Sequence, residues 1–147
     1  MINFIVYRLP PLVWMVFISP LNDLLTSQST SSFIVPIIKW LFPHASDDAV
    51  LTLHLLIRKT SHFLEYALLA FLLFRGFRGG NKTWRPAWVL YAGLIAVGYG
   101  FLDEYVQTFI PSRTGSLYDW LIDSSGAVST LGIVSVKGLR IKALKTN

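Results

Sequence analysis

The chain has 147 residues, 53% of them hydrophobic and only 14% charged, where soluble domains carry about 25% charged residues. Its mean hydropathy is +0.53, more apolar surface than a soluble globule of one-domain length can hide. That argues against an ordinary soluble enzyme, a disordered tail and a fibrous protein, and the absence of cysteine removes disulfides, thiol nucleophiles and thiolate metal sites.

A membrane helix needs about 20 mostly apolar residues, and four stretches qualify as candidates. The first runs from about Leu9 to Leu25. Pro10 and Pro11 suit a helix start, where a missing N–H costs little, and Pro20 should kink or end it. A cleaved signal peptide is the rival reading here, but the segment has one arginine, Arg8, before it and no clear small-residue cleavage site after it. Ser27–Ser32 reads as a short polar loop. Phe33–Pro43 is too short to span and contains Pro36; it reads either as a segment lying in the membrane interface, with Trp40 at headgroup depth, or as a loop packed on the helices.

The second stretch is Lys59–Phe77, interrupted only by His62, Glu65 and Arg75. It can begin earlier, because Ser46-Asp47-Asp48 has the form of an N-cap with acids in the first turn. The third, Pro86–Leu102, has no charge. The fourth, Ser116–Val136, carries Asp119 and Asp123 near its start and no charge after them. The expectation is an all-α, polytopic membrane helix bundle of about four transmembrane helices, in one domain over residues 1–147, with a core at about 8–136 and a basic tail at 137–147.

Threading these four stretches alternately through a bilayer separates the charges. One side receives Arg8, then Arg75, Arg78, Lys82 and Arg85, then Lys137, Arg140, Lys142 and Lys145, and no acid. The other receives Lys39, Arg58, Lys59 and Arg113 with all eight acids: Asp23, Asp47, Asp48, Glu65, Asp103, Glu104, Asp119 and Asp123. The positive-inside rule then places both termini and the 78–85 loop in the cytoplasm. The net charge of +5 is accounted for by solvation and attraction to anionic lipid, so no nucleic-acid partner is expected, and there is no haem or nucleotide signature.

Nearly every side chain capable of chemistry falls at the opposite, extracytoplasmic ends. Lys59, His62 and Glu65 recur every three residues, with Tyr66 four after His62, so they share a helix face. Asp103 and Gln107 are four apart, with Glu104 beside them. Ser116, Asp119 and Asp123 form a polar stripe that ends before Gly126. Ionisable groups at membrane depth usually face a bundle interior or a water-filled cavity, so the three stripes imply one shared pocket open to the outside. In it His62 can serve as general base or nucleophile near neutral pH, and Glu65 can orient the imidazole. Arg113 can grip a phosphate bidentately, and Ser116, as an N-cap, can add backbone N–H groups to an anion site. Asp103, Glu104, Asp119 and Asp123 cannot all stay ionised side by side, which calls for protonation or for a cation, either a divalent metal (Mg²⁺, Mn²⁺ or Ca²⁺) or a lipid ammonium group. Plainer readings pair Glu65 with Lys59 and Asp119 with Arg113 as structural contacts. His44 and His54 have no such company, and Trp14, Trp40, Trp84, Trp88 and Trp120 read as interfacial anchors.

Three blocks of the sequence resemble the VanZ-like family of small bacterial membrane proteins: Arg8-Leu9-Pro10-Pro11-Leu12-Val13-Trp14-Met15, Lys59-Thr60-Ser61-His62-Phe63-Leu64-Glu65-Tyr66, and Asp103-Glu104-Tyr105-Val106-Gln107 followed by Pro111 to Ser116 and by Asp119 to Gly126. The family pattern usually has glycine where Ser112 stands and often asparagine where Asp123 stands. The resemblance implies a bacterial cytoplasmic-membrane protein, a link to glycopeptide (teicoplanin) resistance and a distant relationship to lipid head-group enzymes. Its polar positions map onto Lys59, His62, Glu65, Asp103, Glu104, Gln107, Arg113 and Asp119. The functional expectation is cleavage or exchange of a phosphoester of a membrane lipid head group or a lipid-linked envelope precursor. His62, Glu65 and Asp103 are the catalytic candidates. Lys59, Gln107, Arg113, Ser116 and Asp119 would bind substrate, and Asp103, Glu104 and Asp119 would hold any metal. The alternatives are a lipid- or drug-binding module without catalysis and a small transporter; the polar residues gather at one membrane face rather than lining a path across it, which counts against transport.

Overall fold

A computed structural model describes residues 2–19, 27–111, 113 and 115–146 and, in residues 27–30 and 141–146, the backbone alone. Those residues form helices and turns with no strand. A π-helical turn, Phe4–Arg8, leads into α1 (Leu9–Ile18), followed by α2 (Ser27–Leu41), α3 (Asp47–Arg78), α4 (Pro86–Gln107) and α5 (Leu117–Thr146).

Helix α1 breaks just before Pro20, where a kink or an end was expected. Ser19 is already extended, at φ −53° and ψ 141°, the conformation a following proline imposes. The rest of that stretch, Pro20 to Leu25 with Asp23, lies outside the described residues. The polar run at Ser27–Ser32 is not a loop but opens α2, which also takes in most of the expected interfacial segment. This helix docks on α3 and buries Ile38, while Trp40 is 80% exposed; docking of one apolar face stabilises a helix whose own propensity is poor. Lys39 then bridges to Asp47 at 2.9 Å, and the ammonium holds the Asp47 carboxyl below the usual carboxylate range.

Helix α3 takes the earlier of its two expected starts. Ser46 Oγ accepts from the Ala49 N–H at 3.3 Å, satisfying a donor that a helix start leaves without a partner. It ends at Gly79, whose φ of 57° suits glycine; its N–H donates to the Arg75 carbonyl. At 32 residues and 1.5 Å per residue, α3 is about 48 Å long. Helix α5 does not stop where its apolar run ends but continues through the basic tail.

The contacts set the directions. Lys59 meets Asp119, and Phe71 and Phe74 line a cavity of about 360 Å³ with Thr130, Ile133 and Lys137, so α3 and α5 run parallel. Helix α4 runs antiparallel to both, with Trp120 Nε1 donating to the Val97 carbonyl at 3.1 Å. Helix α1 is antiparallel to α3, with Trp14 Nε1 donating to the Glu65 carbonyl at 3.0 Å. Trp14 and Trp120 therefore tie helices together, where the sequence had read them as interfacial anchors. Tyr66, Leu69, Ala70, Ala92, Ala96, Ala127 and Leu131 fill the centre, and alanines at the contact let the backbones approach closely. Gly126 carries this furthest: a Cβ there would collide with the Phe63 carbonyl.

Two consequences position the site. Arg78 and Lys82 share one end of the bundle with Lys137 and with Arg8, while His62, Glu104, Asp119 and Asp123 meet at the other. The outer surface is apolar, with Leu94 64% and Val128 62% exposed. Among the described residues one helix, α4, is long and apolar enough to cross a membrane, and only 28% of its apolar window is buried. It is therefore not apolar in the way of a soluble core helix. The finding is an all-helical bundle with one such helix.

Tyr99 offers a test of the α1–α4 contact. Its hydroxyl donates to the Met15 carbonyl at 2.7 Å. Tyr99→Phe should cost about 1 kcal/mol, visible as a small fall in melting temperature with helix content unchanged.

Candidate functional site

The polar stripes of α3, α4 and the start of α5 do converge, but the partners differ from those the sequence suggested. Lys59 pairs with Asp119 across the α3–α5 interface, in place of the Glu65–Lys59 pair. His62 Nδ1 lies 3.2 Å from Asp123 Oδ1. Asp123, not Glu65, therefore orients the imidazole. The reason is register: Gly126 brings α5 against Phe63, and the residue three earlier then lands beside His62. Glu65 is half-buried on the same helix, within electrostatic reach of His62 and of Arg113.

Helix α4 supplies the other wall. Asp103, Glu104 and Gln107 are all buried. Gln107 Nε2 donates to Asp103 Oδ2 at 3.3 Å, one helical turn apart, and Tyr66 of α3 lies beside Asp103. Glu104 Oε2 accepts from the Ser116 backbone N–H at 2.7 Å. Ser116 does cap α5: its carbonyl accepts from Asp119 N–H and Trp120 N–H, and its Oγ from Tyr118 N–H at 3.2 Å. The expected open anion site at this helix start is thus filled at its first N–H by the protein's own carboxylate, the charge that a helix N-terminus favours. Arg113, on the α4–α5 connection, is half-buried, and its N–H donates to the Ile110 carbonyl at 3.0 Å.

The electrostatics follow from the pairing. Lys59 is engaged by Asp119, leaving Asp103, Glu104 and Asp123 buried around one imidazole. Each carboxylate of the last two has one oxygen bound, by Ser116 N–H and His62 Nδ1 respectively, and one, Glu104 Oε1 and Asp123 Oδ2, that is buried with no hydrogen-bond partner. Buried carboxylates cannot remain charged at such spacing without positive charge between them. One ligand atom each from His62, Glu104 and Asp123 lie within 4.8 Å of one another. Of the metal set expected from sequence, only Glu104 is in this group; Asp119 is turned to Lys59, and Asp103 to Gln107. Asp123 is the residue the sequence reading undervalued. It stands in the stripe with Asp119, four residues on, and three before a helix-interior glycine, which is the signal that marked it. His54, set aside earlier, is buried against α2, with Ser31 Oγ 3.4 Å from its Nε2, a structural contact.

A family model described as VanZ/LLP1 matches residues 4–138. No curated protein and no solved structure matches the chain.

Proposed function

The chain belongs to the VanZ/LLP1 family, and from its site we propose that it is a four-span protein of a bacterial membrane that cleaves or exchanges a phosphoester of a lipid head group or of a lipid-linked envelope precursor. The bundle would place both termini in the cytoplasm and the polar pocket at the outer leaflet. The apolar exterior and the separation of bases from acids between the two ends support that placement.

The observation that carries the chemistry is the His62–Asp123 contact. With Nδ1 held by a buried carboxylate, the ring has a fixed orientation and Nε2 is the nitrogen left for substrate. Nε2 accepts the proton of the attacking water or alcohol as its oxygen bonds to phosphorus. The bond from phosphorus to the leaving oxygen breaks, and the imidazolium returns the proton to that oxygen. Asp123 stabilises the imidazolium formed in between. Arg113 would bind the phosphate oxygens. Lys59, held by Asp119, adds positive charge at the same end. Asp103, Gln107 and Glu65 would line the head-group side, and Ser116 positions Glu104.

The test is turnover of phospholipids by the purified protein in vesicles, read by mass spectrometry of released head groups. His62→Ala should lower the rate by about 10²–10⁴-fold, the usual contribution of a positioned base, with helix content intact. Equal rates in wild type and His62→Ala would sink the reading. An envelope-precursor substrate predicts altered teicoplanin susceptibility of the producing cells; a phospholipid substrate does not.

A further inference from the structure

We propose that His62, Glu104 and Asp123 bind one divalent cation, and that the site selects a transition ion of the Mn²⁺ or Zn²⁺ type over Ca²⁺ and Mg²⁺. The inference concerns the same pocket but does not depend on lipid turnover: an imidazole whose lone pair binds the ion is not free to accept a proton, so the metal-bound pocket is an alternative to the base role of His62 proposed above.

Three observations carry it. The three ligand atoms come from three different helices, α3, α4 and α5, and lie within 4.8 Å of one another. Metal–ligand bonds of about 2.0–2.2 Å allow ligand atoms to be at most roughly 4.2 Å apart, so closure asks for less than about an ångström of side-chain movement. Next, the carboxylates are already oriented. Ser116 N–H takes Glu104 Oε2 and His62 Nδ1 contacts Asp123 Oδ1, and the second oxygen of each, Oε1 and Oδ2, is buried with no hydrogen-bond partner. Supporting hydrogen bonds of this kind aim ligands at a metal and raise their affinity. A buried acceptor without a donor is a cost of about 1–3 kcal/mol, and more for a charged group, which a bound cation removes.

Finally, a cation offsets crowded negative charge. Glu104 and Asp123, with Asp103 buried beside them, are two ligands whose charge of −2 a divalent ion cancels, inside a bundle where uncompensated charge is costly. Lys59 cannot do this, since it is paired with Asp119. The donor set also decides the type of ion. Oxygen-only shells suit Mg²⁺ and Ca²⁺, and an imidazole nitrogen shifts preference toward Mn²⁺ and Zn²⁺. Three protein ligands leave coordination positions for water or a phosphate oxygen.

The experiment uses the full chain in nanodiscs of zwitterionic phospholipid, treated with EDTA and dialysed. Mn²⁺ is titrated in and the free aqueous ion followed by its electron paramagnetic resonance signal. We expect one Mn²⁺ per chain, displaced by an equal concentration of Zn²⁺ and retained in a tenfold excess of Ca²⁺. Asp123→Asn and Glu104→Gln should each weaken binding at least about tenfold, with circular dichroism showing both folded, and the exposed Asp48→Asn should bind as wild type does. No Mn²⁺ bound by wild type, or binding unchanged in the two site variants, overturns the proposal; displacement by an equal concentration of Ca²⁺ overturns its selectivity. Binding without lipid turnover would leave this site standing and remove the proposed reaction, and turnover without binding would do the reverse.

Discussion

Gly126→Ala is expected to lose the folded bundle. The added Cβ would strike the Phe63 carbonyl, a backbone atom that cannot turn aside as a side chain can. The parallel helices α3 and α5 would have to part along their length, giving up the contacts around Ala127 and Leu131. Overpacking ordinarily costs about 1–3 kcal/mol; against rigid backbone we expect at least about 3 kcal/mol, seen as a large fall in melting temperature and aggregation on size exclusion in mild detergent. Gly132→Ala, on the same helix with open space where its Cβ would lie, is the control. It should melt at or slightly above the wild-type temperature, because alanine is the better helix former by about 1 kcal/mol. Equal melting of the two variants would show that the close approach at Gly126 does not hold the helices together.

Asp123→Asn should stabilise the protein while abolishing its chemistry. Asp123 is 0% exposed, shares its surroundings with Glu104 and Asp103, and has an oxygen without a hydrogen-bond partner. Asparagine keeps an acceptor for His62 Nδ1 and removes a negative charge from the crowded end. In EDTA, the gain should be about 1–3 kcal/mol, or about 2–4 °C in melting temperature per kcal/mol. The imidazolium of the proposed reaction would lose its counter-charge, so lipid turnover should fall steeply at the same time. Adding Mn²⁺ should reverse the ranking, raising the melting temperature of wild type by binding only the folded form and leaving the variant where it was. Destabilisation of Asp123→Asn in EDTA would mean that Asp123 is held by charge pairing and is not under strain. A gain of stability on loss of function is the usual mark of a site whose geometry is maintained against its own electrostatics.

Much of this architecture was legible in the sequence because its signals are local. Ser46 with Asp47 and Asp48 announced the start of α3, Pro86 the start of α4, and the stripes at three- and four-residue spacing announced which faces turn inward. Ser27–Ser32 reads as a loop on propensity, and only its docking on α3 makes it helix. The continuation of α5 into the tail is consistent with Leu139, Lys142, Ala143 and Lys145, all good helix formers. The choice of partners was not readable. Whether His62 meets Glu65, one turn away on its own helix, or Asp123, 61 residues away in sequence, depends on how far α5 slides along α3. That register is set where Gly126 lets the backbones touch, and periodicity within one helix carries no information about it.

The order of the helices along the chain also has a consequence for biogenesis. Asp119 and Asp123 reside on α5, which leaves the ribosome after α3 and α4. In the membrane placement proposed above, Lys59 and His62 on α3 and Glu104 on α4 would enter the membrane before the groups that partner them, Ser116 N–H included. A charged side chain in that position would be costly to leave facing lipid, so α3 and α4 would have reason to stay near the insertion machinery, or near water, until α5 arrives to claim them. Completion of the pocket and release of the chain into the bilayer would then be one event, and a chain truncated before Asp119 would be marked for disposal by its own unpaired charges.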